Sequence, residues 1–232
     1  MAGLAEIQAV LAPYGLTATG AFHPGPMDGA PGSTGTLCLI GADGVRMWPV
    51  FHAAPEPWDG QPHPLDRWSK KVLSAVAEPL GATALFPFGG PPWHPFLRWA
   101  ERAEGARASP IGPSVTATRG LWASWRGALA LQQRIALPAP DLSDPCATCA
   151  APCVSSCPVG ALGTGPYDVP RCTAHVLGPD GSDCRGGGCL ARRACPAGQD
   201  ATPPYPQRQF HMAAFLTANA GPIAGGSLTD SD

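Results

Sequence analysis

The chain has 232 residues, enough for one large domain or a medium domain with a smaller module attached. Its formal net charge is -2 and charged residues make up 14%, so the basic excess of a nucleic-acid binder is missing and no nucleic-acid partner is expected. A hydrophobic share of 44% supplies a packed core, and the 29 glycines and 29 prolines, interleaved with apolar and aromatic segments, predict a loop-rich globular chain.

Met1 to Leu11 lacks the basic start and long apolar stretch of a targeting segment, and no run approaches the length of a membrane span. The expectation is a cytoplasmic protein with no membrane partner. Thiols stay reduced in that compartment, so the nine cysteines point to metal ligation ahead of disulfides.

Leu4, Ile7, Leu11 and Tyr14 have helical spacing. Thr36 to Ile40 is a short apolar run ended by the turn signal Gly41-Ala42-Asp43-Gly44, and Met47 to Phe51 reads as a second strand, which predicts a hairpin. Pro64 opens a helix with Leu65, Trp68, Val72 and Val76 along one face, Asp66 in its first turn, and Pro79 to Gly81 as its stop. Ala84 to Phe88 reads as a strand entering the loop Gly89-Gly90-Pro91-Pro92. Phe96 to Ala103 reads as a short helix, and Leu121 to Leu137 as one or two strands. Gly29 to Gly35 is glycine-rich but lacks the lysine of a phosphate-binding loop, so it reads as an ordinary connection. Gln207 to Asn219 reads as a final helix packing back on the body.

Eight of the nine cysteines fall between Cys146 and Cys195, and only Cys38 lies outside, in a strand where a buried inert thiol is expected. The Pro138-Ala139-Pro140 stretch marks a boundary near Leu137. The expected organisation is an α+β domain over 1–137, a cysteine module over 138–204, a C-terminal helix over 205–220 and a disordered tail over 221–232.

The first run, Cys146-x2-Cys149-x3-Cys153-x3-Cys157-Pro158, brings soft donors together on short loops, as one small iron–sulfur cube requires. Its spacing departs by one residue, in the middle loop, from the familiar bacterial x2-x2-x3 run. The second set is Cys172, Cys184, Cys189 and Cys195-Pro196, with looser spacing and the same Cys-Pro ending. A cysteine followed by proline ligates the other cluster in two-cluster ferredoxins. On that pattern, Cys146, Cys149, Cys153 and Cys195 hold one [4Fe-4S] cluster, and Cys172, Cys184, Cys189 and Cys157 hold the second. Two structural zinc sites would also use eight thiolates, and disulfides are the other alternative. The paired Cys-Pro endings favour clusters. Gly186-Gly187-Gly188 would let backbone N–H groups reach cluster sulfur, or is a plain flexible loop. Arg185, Arg192 and Arg193 would offset cluster charge or dock an acidic partner, or form an ordinary solvated face.

An α/β domain followed at once by such a module resembles epoxyqueuosine reductase, a cobalamin-dependent family of tRNA modification. The N-terminal domain of that family is related to the CblC-type vitamin B12 processing proteins, with a nitroreductase-like fold. The matching segments are Gly120-Leu121-Trp122-Ala123-Ser124-Trp125-Arg126-Gly127-Ala128-Leu129, Arg171-Cys172 after Pro170, and Cys157-Pro158-Val159-Gly160-Ala161-Leu162. The segments His63–Trp68, Phe86–Phe96 and Cys189–Pro196 also look like those of small bacterial proteins described only as ferredoxin-like. The reductase family continues into a helical-repeat region that helps hold tRNA, whereas this chain ends soon after its cysteines and is not basic. Epoxyqueuosine reduction itself is therefore not expected.

Two functions follow as expectations. The first is an iron–sulfur redox protein that passes single electrons to a partner protein or a small-molecule acceptor. The second is a corrinoid-linked oxidoreductase, with cobalamin held by Trp93, His94, Trp122, Trp125 and Arg126 and reduced by the nearer cluster. The plainer reading makes the tryptophans core, His94 a loop residue and Arg126 a paired cation. A flavin in place of cobalamin, and a cluster with a purely structural or sensing role, are weaker variants.

Overall fold

The computed structural model describes residues 3–220. The tail over 221–232 lies outside the described residues. The chain is mixed α and β, with helices and a four-stranded antiparallel sheet, and divides into two units. Residues 3–109, 113–149 and 196–202 form the first; residues 110–112, 150–195 and 203–220 form the second. Among the described residues no helix is long and apolar enough to cross a membrane.

In the first unit, α1 (Leu4–Leu11) buries Ile7 and Leu11, and Pro13 then tightens the chain into a 3-10 turn. Gly15 follows at φ 63°, where a Cβ would lie 2.3 Å from the Met47 nitrogen, so only glycine fits. Strands β1 (Leu16–Phe22) and β2 (Thr36–Ala42) pair antiparallel. Nearly every residue of β2 is buried, as befits an inner strand.

The segment read from the sequence as a second hairpin strand is helix α2 (Gly44–His52). Asp43 caps it by accepting from the Arg46 N–H. Met47 and Phe51 lie four residues apart on one face and are fully buried. That spacing suits a helix, and the apolar run is too short to show a helical period without the Asp43 cap.

Helix α3 (Pro64–Ala77) starts on Pro64 and buries Leu65, Trp68, Val72 and Val76, with Ser69 and Leu73 beside them. Strand β3 (Ala82–Leu85) ends sooner than the sequence suggests, and α4 (Phe96–Glu104) ends on Gly105 in the left-handed region. A small hairpin of β4 (Arg107–Ala108) and β5 (Ser114–Val115) precedes β6 (Trp125–Leu131). The sheet order is β1-β2-β6-β3. Phe22, Leu37, Leu39, Ala128 and Ala130 face Phe96, Trp99 and Ala103 of α4. Cys38 alternates to the other face and is fully buried. Burial, then the Glu104 charge, pushes its thiol up to about 12.

Residues 138–149 stay with the first unit, beyond the boundary expected at Leu137. Arg107 donates to the Leu142 carbonyl at 2.7 Å, and the Leu142 backbone packs against Gly105. Residues 196–202 also belong there, because Gly198 approaches the Arg119–Gly120 backbone too closely for any Cβ.

A buried polar knot pins α4 to the sheet. Glu104 accepts from Thr19 Oγ1 at 2.7 Å, from Trp125 Nε1 at 2.6 Å and from Arg119 Nη2 at 2.5 Å. Both ionic side chains are under a tenth exposed.

Among its described residues the second unit has two 3-10 turns (Pro152–Val154 and Pro179–Gly181) and four helices: α5 (Val169–Leu177), α6 (Ser182–Gly187), α7 (Leu190–Arg193) and α8 (Tyr205–Asn219). Helix α8 packs on α5 and α6.

Replacing Glu104 by Ala strands the buried Arg119 charge and should cost about 3–5 kcal/mol in denaturant unfolding. Asp28 supplies a pH test. Its carboxylate bonds to Arg102, which holds its pKa below the usual carboxylate range against the effect of burial. A depressed folded-state pKa gives stability that is complete above the unfolded value and lost as pH falls through the folded one. The wild type should therefore lose stability below about pH 4 more steeply than Asp28→Asn, as read from urea midpoints.

Candidate metal centre

The second unit brings four of the cysteines around one cavity. Cys157, Cys172, Cys184 and Cys189 line it, with Val159, Leu162, Val176, Leu190 and Met212 among the apolar wall. Its free volume is about 20 Å³.

Each thiol is placed by a local device. Asp168 caps α5 and accepts from Arg171 N at 3.0 Å, and the Cys172 N–H donates back to the Asp168 carbonyl at 3.1 Å. The 3-10 turn Pro179–Gly181 then reverses the chain into α6, which carries Cys184. That reversal needs glycine: a Cβ on Gly181 would lie 1.9 Å from the His175 carbonyl oxygen. Gly188, at φ 81°, turns the chain again so that Cys189 stands at the N-cap of α7. Cys157 lies in the loop after the 3-10 turn, and its sulfur accepts from the Ala161 N–H at 3.2 Å. The Leu190 backbone likewise donates to the Cys184 sulfur.

The electrostatics show that the thiols share one environment. Burial raises the pKa of Cys172; the Tyr167 hydroxyl bonds to it and opposes that rise, and the Cys189 and Cys157 charges add to it. Burial raises Cys184, and Cys189, Asp183 and Cys172 add to the rise. Four thiolates here repel one another unless positive charge lies among them. Among the described residues, however, no group of three or more His, Cys, Asp or Glu side chains fits a single metal ion. One tetrahedral ion wants its thiolate sulfurs about 3.8 Å apart, from metal–sulfur bonds of roughly 2.3 Å. An iron–sulfur cube binds one thiolate at each iron corner and spreads them wider. The four sulfurs surround one gap, and backbone N–H groups are directed at two of them.

The other four cysteines are placed differently. Cys153 and Cys195 are buried in the second unit, on the 3-10 turn and just after α7, and these two elements touch. Cys146 and Cys149 belong to the first unit and are partly buried. Asp144 Oδ1 accepts from Cys146 N at 2.9 Å, and the Cys149 N–H reaches the Cys146 carbonyl at 3.2 Å.

The three glycines at 186–188 have packing reasons. Gly186 leaves room for the Tyr205 hydroxyl, Gly187 for Arg193 and Asp183, and Gly188 for Arg208. The arginines are engaged too. Arg185 donates to the Val176 and Gly178 carbonyls, and Arg193 to Asp183 at 2.6 Å. Burial lowers the Arg192 pKa while the Cys189 charge opposes this.

The five residues read as a corrinoid pocket are not brought together. Trp125 and Arg126 are successive strand residues on opposite faces of the sheet: Trp125 donates to Glu104 of α4, while Arg126 reaches Asp66 of α3 at 3.4 Å. His94 and Trp125 line an open cavity with Pro87 and Arg98. Trp93 is 65% exposed and Trp122 only 8%. A separate cleft of the first unit, lined by Gln8, Thr19, Glu104 and Pro138 to Asp141, contains no cysteine.

Sequence reasoning missed Tyr167, Met212 and Phe215. Phe215 and Met212 pack with Val176, Cys184 and Leu216, and their i, i+3, i+4 spacing in the last helix was the available signal.

Replacing Gly181 by Ala forces the His175 carbonyl aside and should cost about 1–3 kcal/mol in thermal or denaturant unfolding. A substitution at the exposed Gly165, where a Cβ meets nothing within 4 Å, is the control. Compared with known proteins, the chain matches no family model, no curated protein and no solved structure.

Proposed function

We propose that the chain is an iron–sulfur redox protein, with one [4Fe-4S] cluster on Cys157, Cys172, Cys184 and Cys189. Cys146, Cys149, Cys153 and Cys195 would ligate a second, a reading that rests on their spacing in the sequence. When bound, such clusters supply reversible one-electron transfer. The residues around the first of these sites provide anionic sulfur, backbone N–H groups that stabilise added negative charge, and an apolar wall that restricts water.

One observation carries this reading. Cys157, the proline-followed cysteine of the first run, lines the cavity of Cys172, Cys184 and Cys189, far along the chain. Two independent zinc knuckles would leave it with its own run. A pair of clusters that exchange their Cys-Pro ligands places it where it is.

The corrinoid-linked oxidoreductase is the alternative proposal, and a nitroreductase-like first unit belongs with it. The cavity beside His94 and Trp125 supports it in part. The placement of Arg126 on the opposite face weakens the pocket first drawn for it.

Anaerobic reconstitution with iron and sulfide should load about eight irons per chain, four for each cluster. Cys157→Ala, Cys172→Ala and Cys149→Ala should each remove roughly half of them. Zinc in place of iron, or full iron in all three variants, overturns the reading. Adding hydroxocobalamin to the loaded protein then separates the two proposals: a shifted corrinoid spectrum favours the reductase, and an unchanged one leaves electron transfer alone.

A further inference from the structure

The start of α5 contains an uncommon pair. With Asp168 as N-cap, Val169, Pro170, Arg171 and Cys172 are its first four helical residues, and Tyr167 is the residue before the cap. The residue before the cap and the fourth helical residue face one another across a helix start, where two apolar side chains ordinarily pack. Here a phenol meets a thiol, and the two side chains are hydrogen-bonded.

The phenol is held from several directions. Its ring stacks on Phe215 of α8, with centroids 6.4 Å apart and planes 26° from parallel. The Val169 N–H donates to the Tyr167 carbonyl at 3.1 Å. The next residue, Asp168, donates through its N–H to the Ala161 carbonyl at 3.0 Å, and Ala161 donates to the Cys157 sulfur. The Tyr167 loop is therefore tied to two of the four thiol-bearing segments. The ring remains 43% exposed, so it stands between the Cys172 sulfur and solvent.

We propose that Tyr167 is a positioning residue of the cluster held by Cys157, Cys172, Cys184 and Cys189, donating its phenolic hydrogen to the Cys172 thiolate and shielding that ligand from water. The inference rests on the iron–sulfur reading above. A neutral phenol is a single O–H donor, and a thiolate ligand accepts. Hydrogen bonds to cluster sulfur, together with solvent exposure, set the reduction potential. A donor at the ligand stabilises the extra electron and so raises the potential.

The test uses the full-length chain, reconstituted anaerobically, with iron and acid-labile sulfide measured before any potential. Tyr167→Phe keeps the ring and deletes the donor; Phe215→Ala keeps the donor and deletes the stack. In a redox titration followed by electron paramagnetic resonance, Tyr167→Phe should keep wild-type iron. One midpoint should move to a more negative potential while the other stays in place. Phe215→Ala should shift that midpoint less and lose iron faster in air. Unchanged midpoints in fully loaded Tyr167→Phe overturn the assignment, and equal shifts in both variants reduce it to ring packing. A wild-type chain that takes up no iron or sulfide overturns the cluster reading first, and this inference with it.

Discussion

Four thiols from separate segments must be held around one gap by elements too short to hold themselves. Helices α5, α6 and α7 have nine, six and four residues. Isolated helices of that length are unstable in water, because few hydrogen bonds repay the ordering of the first turn. The second unit therefore depends on α8, the longest of its helices, which buries Leu216 against Val176 and Cys184. Its Met212 also lines the cavity. The helix that encloses the cysteines thus stabilises the elements that carry them. Arg208 of the same helix donates to the Gly187 carbonyl at 2.8 Å, which fixes the turn between Cys184 and Cys189. Four like charges would push such small elements apart, so this unit gains most from a positively charged group among the sulfurs.

The first unit solves a different problem with the same economy. Its sheet has helices on both faces, and α4 must pack tightly on β1, where a Cβ on Gly20 would lie 2.4 Å from the Ala103 carbonyl oxygen. Burying Glu104 at that contact is costly unless every acceptor is used. Thr19, Trp125 and Arg119 use them, and all three approach from outside α4. Trp125 is consequently committed to the fold as well as to the cavity beside His94.

The sequence was most legible where a period and a stop signal agreed. Helix α3 shows both, with four apolar residues on one face after Pro64. Helix α4 and the final helix were also visible, to within a residue or two at their ends. Strand β1 was not, since Leu16–Phe22 mixes threonine, alanine and glycine and takes its order from pairing with β2. Helix α2 was mistaken for a strand because Met47 and Phe51 bracket only a short run. In the candidate site the cysteines were legible from spacing, whereas Tyr167, Met212 and Phe215 act through tertiary packing, which spacing does not record. The glycines at 186–188 invited a cofactor reading, yet side chains from elsewhere fill the space they leave.

The one-residue departure in the first cysteine run has a local physical correlate. Between Cys149 and Cys153 the chain passes through Ala151 at φ 50°, a left-handed conformation that alanine adopts at a cost of roughly 1–2 kcal/mol. Pro152 then opens the 3-10 turn that buries Cys153, with Val154 N donating to the Ala151 carbonyl at 3.0 Å. Proline disfavours the right-handed helical region for the residue before it, so a continuous helix from Cys149 to Cys153 is blocked. The chain must turn sharply there, and the longer middle loop supplies the residue that turns. Ser156 Oγ donates to the Pro152 carbonyl at 2.7 Å and closes the turn just before Cys157. Cys153 and Cys157 thus leave one small turn in different directions, Cys153 into a buried site and Cys157 towards the cavity of the second set. An insertion that looks like a fault in the motif sits in the turn from which its last two cysteines diverge.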